Sequence, residues 1–341
     1  MMPVTTIVEA LKAALIEEMD RDDSVVVFGE DIAVFGGAYR VTEGLLEKYG
    51  EERIKDTPIS EIAIAGAAVG AAMTGLRPVA EFQFNDFMAC GMDQICNQAA
   101  KIRFMMGGQV KVPLVFRAPM GATGRAAQHS QCLEAWFMHT PGLKVVLPST
   151  PYDAKGLLKS AIRDDNPVIM LEHKLLYGAK SPGGKAQTAV GGLGKAFTPA
   201  PDEDYTVPIG KADIKRNGRD LTIVATSMML HKALKAAAAL SEEGIEAEVI
   251  DPRTLVPLDR AAIIDSVKKT GRLVIASEDV LTCGFTSEVA ACVAEEGAYY
   301  LEAPVKRVGV QDTPIPFAPP MERDVIPAEE DIIDAVRTVL E

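Results

Sequence analysis

Positive charge, histidine, tryptophan and cysteine are all sparse in this chain of 341 residues, and each scarcity removes a class of function. The formal net charge is -13, whereas a nucleic-acid binder needs a basic face. The 5 cysteines (Cys90, Cys96, Cys132, Cys283 and Cys292) are odd in number and contain no CxxC. Neither a disulfide framework nor a zinc site fits them; reduced thiols of a cytoplasmic protein do. No apolar run is long enough to span a bilayer, since the longest uncharged stretch, Ile62 to Leu76, is short and rich in Gly and Ala. The first residues do not read as a signal peptide, because Ile7, Val8, Leu11, Ala14 and Leu15 recur at helical spacing among acids. No GxGxxG links a strand to a helix, no P-loop motif occurs, and no GxSxG elbow is present. The chain therefore shows no phosphate cradle of its own.

What is present is an alternation. Hydrophobic residues make up 48% and charged residues 24%, as in folded globular proteins, and the length favours two domains. Short apolar runs such as "SVVVFGED", "PVAEFQF", "KVPLVFRAP", "LKVVLPS" and "PVIMLEH" alternate with helical stretches. That pattern predicts an α/β fold, two domains, each a mainly parallel sheet flanked by helices. "FMACGMDQICNQAAKIRFMMGG" predicts one long helix. A Gly- and Pro-rich break without apolar period separates residues 1–180 from residues 216–341, with 181–215 as linker. The alternation then resumes through "DLTIVATS", "IEAEVID", "RLVIASED" and "PVKRVGV", and "AEEDIIDAVRTVL" closes the chain as an amphipathic helix.

Ligands of open α/β sheets bind beyond the carboxyl ends of the strands, which draws attention to Glu30, Glu61, Gln83, Phe87 and the loop carrying His129. Glu61 falls in the first turn of a helix that Ser60 or Thr57 can cap. An acid there complements the helix dipole in many proteins with no further role. The helix behind it, "AIAGAAVGAAMTG", places Gly66 and Gly70 four apart, a face suited to close helix contact, including contact between subunits. His129 lies in "AAQHSQ", among polar neighbours after a Gly-rich loop. It reads either as a loop histidine bonded to backbone or as a group that handles a substrate oxygen. His139, His173 and His231 have weaker contexts.

In order along the chain, "GEDIAVFGGAYRVTEGL", "DTPISE", "GLRPVAEFQF", "MDQICNQAAKIRFM", "AAQHSQCLEAWFMHTPGLKVV", "PSTPYDAKGLLKSAIRDDNP", "LLYG", "DPRTLVPLD" and "DTPIPF" resemble the beta subunit of the thiamine-diphosphate-dependent decarboxylating component of 2-oxo acid dehydrogenase complexes. The resemblance covers nearly the whole chain, and pyruvate- and acetoin-type members look nearest. It implies a pyrimidine-binding domain followed by a transketolase C-terminal-like domain. By motif position Glu61 becomes the glutamate that bonds N1′ of the aminopyrimidine and favours the imino tautomer, which takes the C2 proton. That role needs a dry pocket that raises an acid. Gln83 and Phe87 match cofactor-side polar and aromatic positions. His129 matches the histidine that handles the substrate carbonyl and acyl transfer to lipoamide. A potassium site would use backbone oxygens of Leu114, Ala161 and Ile162 with Asp164 and Asn166; ordinary turn chemistry accounts for the last two equally well.

The family holds diphosphate and magnesium through a GDG motif on its alpha subunit, and this chain contains no GDG. The resemblance therefore implies an assembly of two alpha and two beta subunits, with alpha carrying magnesium and completing the thiamine diphosphate site. It also implies docking to a lipoyl acyltransferase core, a small-molecule substrate, and neither nucleic acid nor membrane as partner. Two features depart from the pattern: the stretch between Tyr177 and Tyr205 is long, and Arg125 stands where many members have a small residue. Three other readings compete: a branched-chain 2-oxo acid enzyme, a self-sufficient transketolase-type enzyme, and a non-catalytic assembly subunit.

Overall fold

The computed structural model describes residues 4–178, 198–201 and 203–341. Residues 181–197 and 202 of the expected linker lie outside them. The chain divides into two compact units: Met1–Met120 with Trp136–Ile209, and Gly121–Ala135 with Gly210–Glu341. The units are therefore not two unbroken segments, because residues 121–135, His129 among them, group with the C-terminal unit.

In the first unit six strands pair in parallel, in the order Lys144–Val146, Val168–His173, Val115–Met120, Arg77–Glu81, Val25–Gly29 and Ile54–Asp56. The central strands are buried along almost their whole length, which is why they read as unbroken apolar runs rather than alternating ones. Helix Ile7–Arg21 begins with a capping box in which Thr6 and Glu9 satisfy each other's backbone donors. It packs on helix Pro151–Arg163, which has Thr150 as its cap and proline in its first turn. Between these helices the buried Glu18 accepts from Arg163 and Arg21, and buried Lys159 pairs with Glu17 and Asp204.

The described residues of the expected linker include packed and strand segments. Tyr205 stacks on Tyr152 with ring centroids 4.6 Å apart, and Val207 O accepts from Ser160 Oγ at 2.6 Å. Gly156 permits this approach, since a Cβ there would lie 2.4 Å from Val207 Cγ2. Asp213–Arg216 is a strand.

The predicted long helix is not uniform. Asn85–Gly91 is 3₁₀, Asp93–Ala99 is wound in wide π turns, and only Ala100–Met105 is α-helical. The change of winding accompanies close packing on the Glu61 helix: a Cβ on Gly91 would sit 3.0 Å from Ala65 Cβ and 3.3 Å from Glu61 O. Such irregular turns concentrate at functional sites.

In the second unit the strand order is Lys306–Val310, Leu273–Val280, Leu221–Ala225, Ala247–Asp251 and Asp213–Arg216. All neighbours are parallel except the last pair. Helices Ser227–Glu242 and Glu329–Leu340 cover one core through Met229, Leu230, Ala233, Ile332, Val336 and Val339. Both units thus have the mainly parallel, helix-flanked sheet that the alternation predicts.

Candidate active site

Glu61 opens helix Glu61–Met73, as its sequence position suggests. The cap differs from expectation. Ser60 occupies the N-cap position, but its side chain accepts no capping hydrogen bond. Its N–H instead serves the Glu30 carboxylate, just beyond strand Val25–Gly29. Thr57 does not cap either; its N–H donates to Gly29 O at 2.9 Å, and its buried Oγ1 has no partner among the described residues. Two acids therefore meet beyond adjacent strand ends. Glu30 is buried, and burial raises its pKa first, with the charges of Glu61 and Asp31 adding to the effect. Gly29 makes this corner compact: a Cβ on it would lie 2.4 Å from Glu81 O.

The neighbouring strand, Arg77–Glu81, leads into Gln83, Phe84 and Phe87. Gln83 is half-buried and its Nε2 reaches Asp31 Oδ2 at 3.5 Å. Phe87, also half-buried, meets the buried Phe84 edge to face at 5.6 Å and 85°. Lys174 places its ammonium 4.9 Å from the Phe84 ring centroid. The Asn85–Gly91 segment that carries Phe87 packs on the Glu61 helix, so Glu61, Glu30 and Phe87 come from one cluster of elements within the first unit.

Beneath these strand ends lies a charge network that the sequence reading missed. Arg117, fully buried, donates through Nε to Glu172 Oε1 at 2.7 Å and through its other arm to Glu81. Tyr177 donates to Glu172 Oε2 at 2.9 Å. Burial pushes Glu172 up to about 7 against the pull of Arg117. The two carboxylates hold the guanidinium protonated although burial opposes its charge. The available signal was a charged residue inside each of three apolar strands: "PVAEFQF", "PLVFRAP" and "VIMLEH".

His129 belongs to the other unit, in the loop after Met120. It is half-buried, and its N–H reaches Ala126 O at 3.4 Å across a turn in which Ala126 has φ 62° and Gly124 φ 73°. Both ends of the loop meet acids. Ala122 N–H donates to Glu278 Oε1 at 2.7 Å, and Ser277 Oγ donates to Glu134 Oε1 at 3.4 Å. Among the described residues, Glu134 Oε2 and Asp279 Oδ1 are buried without hydrogen-bond partners. Burial pushes Glu134 up to about 8, with the charges of Asp279 and then Glu278 adding to it, while burial raises Asp279 to about 6. Neither acid was singled out in the sequence, where "LEAW" looks like an ordinary helix start and "ASED" like a strand end.

The five residues considered for potassium do come together, but their oxygens are engaged. Leu114 O accepts from Val168 N at 2.9 Å and Ala161 O from Asp164 N at 3.2 Å. Ile162 O accepts from Arg77 at 2.9 Å. Asp164 Oδ1 accepts from Asn166 N, a turn closure, and Oδ2 pairs with Lys144. Asn166 Oδ1 accepts from Arg103 at 2.6 Å. Protein cations thus face three of these oxygens, those of Ile162, Asp164 Oδ2 and Asn166 Oδ1, and backbone N–H groups face Leu114 O and Ala161 O.

Comparison with known proteins agrees with this architecture. Residues 4–180 match the transketolase pyrimidine binding domain and residues 210–332 the transketolase C-terminal domain. The chain is 46% identical over 339 residues to a Rhizobium meliloti pyruvate dehydrogenase E1 component subunit beta, covering 99% of this chain and 70% of that one. It is 45% identical to the Bacillus subtilis 2-oxoisovalerate dehydrogenase subunit beta, with 100% of both chains covered. It is 44% identical to the Bacillus subtilis acetoin:2,6-dichlorophenolindophenol oxidoreductase subunit beta, with 100% of this chain and 98% of that one covered. A solved structure described as a split gene transketolase, an inactive beta4 tetramer, superposes with a TM-score of 0.78 at 26% identity, covering 99% of each chain. The chain belongs to the family of 2-oxo acid dehydrogenase E1 beta subunits, built from the two transketolase domains.

Proposed function

We propose that the chain is the beta subunit of a thiamine-diphosphate-dependent 2-oxo acid dehydrogenase of the pyruvate or acetoin type. In this reading Glu61 and His129 are catalytic, and Glu61, Gln83 and Phe87 bind the cofactor. The observation that carries it is that Glu61 and Glu30, close enough for their charges to interact, come from strand ends and a helix start on which the segment carrying the half-buried Phe87 packs. These residues fit the aminopyrimidine half of thiamine diphosphate: an acid, an amide, a ring, and the buried hydroxyl of Thr57, partnerless among the described residues. When bound, the cofactor supplies a stabilised carbanion for decarboxylation.

This chain's own residues bind and move protons. Glu61 holds a proton at the pyrimidine N1′. Beside it, burial first and then the charges of Glu61 and Asp31 raise the pKa of Glu30. Phe87 shields the pyrimidine from water, and Gln83 gives it a polar edge. His129 serves the substrate oxygen and the later acyl transfer to lipoamide. Diphosphate and magnesium belong to the alpha subunit in this proposal, and nothing in it passes through a potassium ion.

An assembly of two alpha and two beta subunits, docked to a lipoyl acyltransferase core, is part of the same reading. The Glu61 helix supports it by leaving Ile62 56% and Met73 40% exposed among small residues, a surface suited to burial by another subunit. A cytoplasmic site of action accords with five free cysteines. Among the described residues no helix is long and apolar enough to cross a membrane.

The test is Glu61→Ala reconstituted with an alpha subunit. Decarboxylation should fall by ~10²–10⁴-fold, with the assembly intact by analytical ultracentrifugation. Near-normal turnover would favour the non-catalytic assembly role. Pyruvate, acetoin and branched-chain relatives lie at nearly equal identity, so the same preparation should be assayed against pyruvate, acetoin and 3-methyl-2-oxobutanoate.

A further inference from the structure

Glu322 sits on the short helix Pro319–Val325, half-exposed. Both of its carboxylate oxygens accept from one backbone donor, Gly124 N–H, at 3.1 and 2.8 Å. Among the described residues its side chain makes no other hydrogen bond and no ion pair. A flexible surface acid has little reason to be ordered on a distant backbone amide unless that amide needs an acceptor; charge-assisted bonds of this kind are among the stronger ones.

The donor's position gives the contact its meaning. The stem of the loop is held three times: Gly121 N–H donates to Gln131 O at 3.1 Å, Ala122 N–H bonds Glu278, and the buried Ala122 side chain packs with Val310 and Ile315. The turn that follows is held differently. Gly124 adopts φ +73°, and a Cβ on it would meet nothing within 4 Å, so packing does not fix it. The next backbone tie, His129 N–H to Ala126 O, is long at 3.4 Å. The return arm after His129 is tied to the stem at Gln131, so it is the outgoing arm, from Ala122 to Ala126, that runs through a left-handed glycine whose amide is secured by Glu322.

We infer that Glu322 is a positioning residue: it sets the backbone from which His129 reaches substrate. This rests on the catalytic reading of His129 given above. Nothing local in "PPMERDV" suggests the role, since the contact spans 198 positions of sequence. A displaced catalytic group loses rate steeply with small shifts, and Glu322→Gln keeps an acceptor oxygen for Gly124 whereas Glu322→Ala keeps none.

The experiment uses the assembled alpha–beta enzyme with Glu322→Ala and Glu322→Gln. Hydrogen exchange of the peptide covering residues 121–131 should quicken in the alanine variant and return toward wild type in the glutamine variant. With the same substitution, kcat should fall by ~10-fold with KM little changed, Gln restoring most of it, and the melting temperature should hold. Unchanged exchange in Glu322→Ala overturns the inference, because the carboxylate then does not hold the turn. Faster exchange with unaltered kcat also overturns it, because the turn then does not place His129. A fully active Glu61→Ala enzyme would strike the functional reading itself, and exchange in the Glu322 variants would still report on the clamp.

Discussion

Each unit buries a group of carboxylates, and the two solve the same electrostatic problem in different ways. In the first unit Glu81 and Glu172 share the guanidinium of Arg117, with Tyr177 adding a hydrogen bond. In the second unit Glu134 and Asp279 are equally buried, yet among the described residues each keeps an oxygen without a hydrogen bond. Lys232, near Glu278, donates to Pro327 O instead, and burial lowers its own pKa. One cluster sets a cation between its carboxylates; in the other, burial raises the pKa of both Glu134 and Asp279. A buried ion pair breaks badly when one partner is removed; a proton-holding pair responds to pH.

Arg117→Met is the severest way to break this comparison. It leaves Glu81 and Glu172 buried without their cation and should cost ~3–5 kcal/mol in urea unfolding. A loss within ordinary surface values would mean the carboxylates protonate at little cost, as in the other unit. Next comes Glu134→Gln. Unfolded glutamate gives up its proton near 4.5, whereas the buried acid holds it to about 8. Between those values the native state binds more protons, so wild-type stability should fall as pH rises, by on the order of 1–3 kcal/mol. The glutamine variant should flatten most of that slope in melting curves taken from pH 5 to 8. A wild-type curve already flat would show that the pair holds no proton. Glu172→Gln should cost less, ~1 kcal/mol, since the amide oxygen still accepts from Arg117, the Tyr177 hydroxyl can turn to accept from the amide N–H, and one buried charge disappears. Smallest of all is exchange of potassium for sodium. With Arg77, Arg103 and Lys144 already on the relevant oxygens, the melting temperature should not move, and a clear rise in potassium would show that these cations withdraw.

The regular part of the fold was legible because parallel strands buried on both faces leave unbroken apolar runs, as in Val25–Gly29 and Leu221–Ala225. Asp213–Arg216 escaped notice: "DIKR" is an antiparallel edge strand and carries edge chemistry. The mixed winding of Asn85–Met105 was hidden because its cause is the contact with the Glu61 helix. At the site, Glu61 could be placed at a helix start, but the missing Ser60 cap and the approach of Glu30 are tertiary facts. The assignment of residues 121–135 to the second unit was invisible for the same reason.

That last feature bears on how the molecule is made. The His129 loop leaves the ribosome early, while its acceptors Glu278 and Glu322 lie 156 and 198 residues downstream of Ala122 and Gly124. Contacts of such separation form late and slow folding. A nascent chain halted after Ile209 holds every strand of the first sheet described above, yet its Ala122 and Gly124 amides have no carboxylates to meet. Maturation of this loop therefore waits for the segment around Glu322 to be translated, and a chain truncated before Pro319 should fold much of its architecture while leaving Gly124 without its clamp.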